Sequence, residues 1–83
     1  MTTYETTDLS LAAALKSEFR IPFPEIRLDG RLSTFVFSVD PGLAQEAATR
    51  FYNDELQISA RRYAQDLRDL KALIFRTKEV QGR

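Results

Sequence analysis

The chain has 83 residues, with twelve Lys/Arg balancing twelve Asp/Glu, which is enough for one domain without net charge. A hydrophobic fraction of 43% can fill one core, so the chain reads as globular rather than disordered. With neither Cys nor His, it can form no disulfide, thiolate nucleophile, zinc finger or iron–sulfur cluster, and it lacks the usual general base near neutral pH.

The charge is unevenly placed. Residues 1–60 carry five Lys/Arg and nine Asp/Glu, a balance of −4, whereas residues 61–83 carry seven and three, a balance of +4. The polar, acidic start over residues 1–8 does not read as a signal peptide. The longest apolar stretch, residues 11–15, is too short to span a bilayer, and the expectation is a cytoplasmic protein without membrane contact.

In chain order, residues 4–7 suit a short strand and Asp8 an N-cap. The helix that follows places Leu11/Ala12, Leu15 and Phe19 on a core stripe, and Pro22 and Pro24 then require extended chain. Asp29-Gly30 predicts a two-residue type I′ hairpin loop, with Leu28 opposite Arg31 and Ile26 opposite Ser33. Side-chain alternation assigns Ile26, Leu28, Phe35, Phe37 and Val39 to the core. Glu25, Arg27, Leu32, Thr34, Val36 and Ser38 fall on the other face.

Asp40-Pro41 is an N-cap followed by a first-turn proline. The next helix buries Leu43, Ala47 and Phe51, flanked by Ala44 and Ala48, and ends at Asn53-Asp54. Residues 55–59, with Leu56 and Ile58 two apart, read as a final short strand. Ser59 then caps the longest helix, from Ala60 to about Thr77 within the C-terminal segment 60–80. The implied fold is α+β, a ferredoxin-like β-α-β-β-α-β sandwich with an extra C-terminal helix. A β-hairpin packed on three helices is the alternative.

On the last helix, at about 100° per residue, Ala60, Tyr63, Ala64, Leu67, Leu70, Ile74 and Phe75 share one broad face. Lys71 falls inside that stripe, Lys78 continues its line, and Arg61 and Arg68 flank it. Arg62, Gln65, Asp66, Asp69 and Arg76 lie opposite. The basic set Arg61, Arg62, Arg68, Lys71, Arg76, Lys78 and Arg83 is the candidate surface for nucleic acid or a protein partner, although its members point in several directions around the helix and Asp66 and Asp69 interrupt them.

Catalysis has little to stand on: there is no Ser–His or Cys–His pair, no glycine-rich phosphate loop and no metal-ligand spacing. Asp54-Glu55 reads as a solubilising turn, and the tyrosines Tyr4, Tyr52 and Tyr63 as rim-of-core residues. The expectation is a non-catalytic binding module without cofactor, metal or small-molecule substrate. It would contact nucleic acid or a nucleic-acid-handling protein through the basic helix. The alternative is a protein–protein adaptor or inhibitor, including a homodimer formed through open sheet edges.

Three stretches carry a resemblance. Tyr4-Glu5-Thr6-Thr7-Asp8-Leu9 runs into Ala12-Ala13-Ala14-Leu15; Gly30-Arg31 leads to Thr34-Phe35-Val36-Phe37; and Phe51-Tyr52-Asn53 is followed downstream by Leu70-Lys71-Ala72-Leu73-Ile74. Together they resemble a family of short, functionally uncharacterised proteins of bacteria and their phages or mobile elements. The resemblance covers nearly the whole chain and implies a self-contained accessory domain, with no activity or site to transfer. Pro22-Phe23-Pro24 stands where a glycine-containing turn is expected after the first helix.

Overall fold

A computed structural model describes residues 2–81, and Arg83 of the basic set lies outside the described residues. The elements are β1 (Tyr4–Thr6), α1 (Leu9–Phe19), β2 (Glu25–Asp29), β3 (Leu32–Phe37), α2 (Pro41–Tyr52) and α3 (Ala60–Gln81). The sheet order is β1-β3-β2, with β3 antiparallel to both neighbours. β1 and β2 are therefore parallel and joined across β3 by α1, a split βαβ unit. The helices line one side of the sheet: α1 packs on α2 and α3, α2 reaches β1, and α3 reaches β2.

Capping chemistry sets where α1 and α2 begin. Asp8 Oδ1 accepts from the Ser10 and Leu11 amides, and Asp40 Oδ2 accepts from the Leu43 amide with Pro41 just inside the helix. Each satisfies donors that the first helical turn leaves orphaned. Asp8 is itself held by the Tyr52 hydroxyl, which donates to Oδ2 at 2.7 Å. That hydrogen bond, followed by burial and the charge of Asp8, pushes the Tyr52 phenol up to about 12. α1 ends at Arg20, which takes the left-handed conformation (φ 53°) and does the work of the expected glycine.

The core lies between α1 and the sheet. Leu11, Leu15, Phe35, Phe37 and Leu70 are its largest fully buried side chains, and Ala12, Ala13, Ala14, Ala44 and Ala48 let the helices approach closely. α1 is buried continuously from Leu11 to Ser17, not along a single stripe, because the sheet and two helices surround it.

The hairpin keeps its expected core face but not its expected register. Asp29 stands opposite Leu32, Leu28 opposite Ser33 and Ile26 opposite Phe35. The loop residues are Gly30 and Arg31, with only Gly30 at positive φ (63°), as a type II′ turn requires. The two-residue offset preserves side-chain alternation, so Phe35 and Phe37 still point inward.

The expected last strand does not form, which removes the ferredoxin-like order: the chain runs β-α-β-β-α-α. Its first two amides are already committed. The Glu55 and Leu56 N–H groups both donate to the Arg50 carbonyl at the end of α2, at 2.7 and 3.2 Å, after a turn through Asp54 at φ 60°. A strand whose first donors close a helix end cannot offer them to a sheet edge. Two further expectations fail by exposure, Leu43 at 57% and Phe75 at 69%.

α3 is rotated relative to its expected face. Tyr63, Asp66, Leu67, Leu70, Leu73, Ile74 and Thr77 turn inward, while Ala60, Lys71 and Phe75 turn outward. The cause is a buried polar cluster: Lys16 Nζ donates to Asp66 Oδ1 at 2.7 Å, and the Ser17 hydroxyl donates to Oδ2 at 2.5 Å. Lys16 and Asp66 are only 7% and 8% exposed. Burial alone would push the Asp66 carboxyl up, but the hydrogen bonds from Lys16 and Ser17 and the charges of Lys16 and Arg62 outweigh it and hold it below 3.8.

A carboxyl held lower in the folded chain binds fewer protons there than in the unfolded chain, so this contribution grows with pH. Asp66→Asn should lose about 3–5 kcal/mol at neutral pH by leaving the Lys16 charge without its counter-ion. In thermal melts, its deficit against the parent should narrow as the pH falls below 3.8, and a deficit independent of pH would refute the buried ion pair.

Candidate nucleic-acid interface

With Asp66 drawn inside, the outer side of α3 changes character. Taking Arg61 as the origin at about 100° per residue, Arg68, Phe75, Lys71 and Lys78 fall within one arc of about 100° that also holds Ala60 and Ala64. Arg61, Arg68, Lys71, Phe75 and Lys78 are all exposed. The only acid at the border of this arc is Glu79, in the last turn. From Arg61 to Lys78 the arc covers about 25 Å along the helix axis.

Among the described residues, Arg61, Arg62, Arg68, Lys71, Arg76 and Lys78 make no ion pair. Arg68 donates to the Gln65 amide oxygen at 2.9 Å, and the Gln65 amide nitrogen donates to Asp69 at 2.9 Å. That chain of contacts engages Asp69 on the neighbouring side of the helix while leaving Arg68 exposed.

The six predicted site residues therefore divide. Arg61, Arg68, Lys71 and Lys78 share the outer arc. Arg62 lies about 100° around the helix from Arg61 yet lines the same depression as Arg61 and Arg68, and its charge helps lower the Asp66 carboxyl pKa. Arg76 lines an apolar groove with Phe23, Leu73, Thr77 and Val80.

Sequence reasoning missed Arg20. Next to α3's first turn, an open depression of about 490 Å³ is lined by Ser59, Arg61, Arg62, Gln65, Asp66 and Arg68. A smaller one of about 250 Å³, sharing Ser59 and Arg62, reaches Ser17, Glu18, Gln57, Ile58 and Arg20. Arg20 thus extends the cationic surface onto the end of α1, opposed locally by Glu18. Its signal in the sequence was indirect: a helix end before Pro22 with no glycine to turn it.

Lys16 was also missed, although a lysine directly after the apolar run 11–15 of a core helix needs a partner. It sits 5.5 Å from the centre of the Phe23 ring as well as on Asp66, and so ties the proline loop to both helices.

Other chemistry is sparse. Among the described residues no group of three acids lies together in a way that could hold a metal ion, and no helix is long and apolar enough to cross a membrane. The uncovered face of the sheet carries Glu5 paired with Arg27, alongside Thr34 and Val36.

The chain belongs to the family described as a domain of unknown function (DUF5659), which matches residues 1–76. No curated protein and no solved structure matches it.

The positive φ at Arg20 gives a direct check on the local geometry. Arg20→Gly removes a side chain from a left-handed position and should stabilise the fold by about 0.5–1 kcal/mol in urea unfolding. Destabilisation would mean that the Arg20 side chain contributes more to the fold than its backbone costs.

Proposed function

We propose that the chain is a non-catalytic module that binds nucleic acid through the outer arc of α3. The observation that carries this reading is the exposed arc of α3 on which Arg61, Arg68, Lys71 and Lys78 stand together, with no ion pair among the described residues. Four cations along a rigid helix suit a line of phosphates, whose neutralisation releases condensed counterions and supplies sequence-independent affinity. The −4 balance of the first sixty residues would be repelled by a polyanion, so binding is oriented with α3 toward it. A nucleic-acid contact also agrees with the mobile-element context that the family resemblance implies.

Such binding is modest in strength, with a dissociation constant of about 1–100 μM at physiological salt, as for other non-specific contacts. Fluorescence anisotropy with a labelled oligonucleotide across a salt series tests it. The logarithm of affinity should fall with the logarithm of salt with a slope of about −3, and neutralising Arg61, Arg68, Lys71 or Lys78 to Gln should each reduce the slope by about 0.7–0.9. Arg76→Gln, off the arc, should change it less. Absence of binding at low salt would refute the proposal.

A further inference from the structure

Three large aromatic side chains are exposed: Phe23 at 56%, Tyr52 at 61% and Phe75 at 69%. Their surroundings differ. Tyr52 gives its hydroxyl to the Asp8 carboxylate. Phe23 lies over Lys16, whose charge is satisfied by Asp66, and borders the groove with Leu73 and Val80. Phe75 alone stands on the cationic arc, with Lys71 four residues before it, Lys78 three residues after it, and Arg68 one heptad back. Side chains three and four apart on a helix are immediate neighbours, about 5–6 Å between their Cβ atoms. The ring is therefore framed by cations that make no ion pair among the described residues.

Resting on the nucleic-acid reading above, we infer that the preferred ligand is single-stranded, with a base stacked on the exposed Phe75 ring and the flanking phosphates on Arg68, Lys71 and Lys78. A solitary ring between cations gives a hydrophobic protein partner little contiguous apolar area. It does give an unpaired base a π-face, and alternating rings and cations are how sequence-tolerant single-strand binders hold their ligand. A duplex keeps its bases stacked on each other, so it would engage the cations and leave the ring idle. The sheet supplies no rival platform, because Phe35 and Phe37 are 1% and 0% exposed beneath the helices.

The test compares oligothymidylate, oligouridylate and a blunt DNA duplex of equal length at one salt concentration. The parent should bind both single strands more tightly than the duplex, and the two arms report whether the 2′-hydroxyl matters. Phe75→Leu keeps an apolar helix former at an exposed site but removes the π-face. It should weaken single-strand binding about tenfold, leave the salt slope unchanged and barely affect the duplex. Phe75→Trp should retain the affinity, and its fluorescence, the only tryptophan signal in the chain, should be quenched by oligothymidylate. Equal affinity for duplex and single strand, with no loss in Phe75→Leu, would overturn the inference while leaving the phosphate-binding reading intact. Failure to bind any of the three would overturn both.

Discussion

The meeting of Lys16, Ser17 and Asp66 decides how α3 is set against the rest of the molecule. Their three polar groups sit in the seam between α1 and α3, where an unpaired charge would be costly, and they satisfy each other at 2.7 and 2.5 Å. No described side-chain N or O in the interior is left without a partner. Because Asp66 must meet Lys16 and Ser17 of α1, the cluster favours this rotation of α3 about its own axis. Greasy contacts alone would select less sharply, since Ala60, Ala64 and Phe75 could extend an apolar face in another direction. Whichever side turns in fixes which side is presented outward.

That rotation connects stability to surface chemistry. Asp66, on the other side of α3 from the basic arc, is neutralised internally by a lysine from a different helix. Residues 61–80 present Arg61, Arg68, Lys71 and Lys78 on one exposed side, and the acidic balance of residues 1–60 gives the molecule an electrostatic polarity despite zero net charge. Arg20 and Arg62 continue the surface toward the end of α1, so the basic region is not confined to one helix.

Much of this was legible in the chain because it is encoded locally. Asp8 and Asp40-Pro41 announce their helices through donors within three residues, and the alternation of Ile26, Leu28, Phe35 and Phe37 identifies the inner face of the sheet even though the hairpin register is offset. Ser59 likewise caps α3, accepting from the Arg62 amide at 3.3 Å. What local pattern could not carry was decided by distant partners. The strand at 55–59 is lost to hydrogen bonds closing α2, and the facing of α3 depends on a residue fifty positions earlier. The basic residues of α3 were visible as a group, and helical periodicity alone could have gathered Arg61, Arg68, Lys71 and Lys78 into one arc; that this arc faces outward, with Lys71 outside the core, required the facing of α3.

The rotation of α3 can be read directly because the chain contains no cysteine. Single cysteines placed at successive positions from 60 to 80, followed by thiol labelling under native conditions, give a reactivity profile along the helix. The buried-cluster account predicts protection at 63, 66, 70, 73 and 77, with fast labelling at 61, 68, 71, 75 and 78. Protection centred instead on 60, 64, 71 and 75 would contradict it.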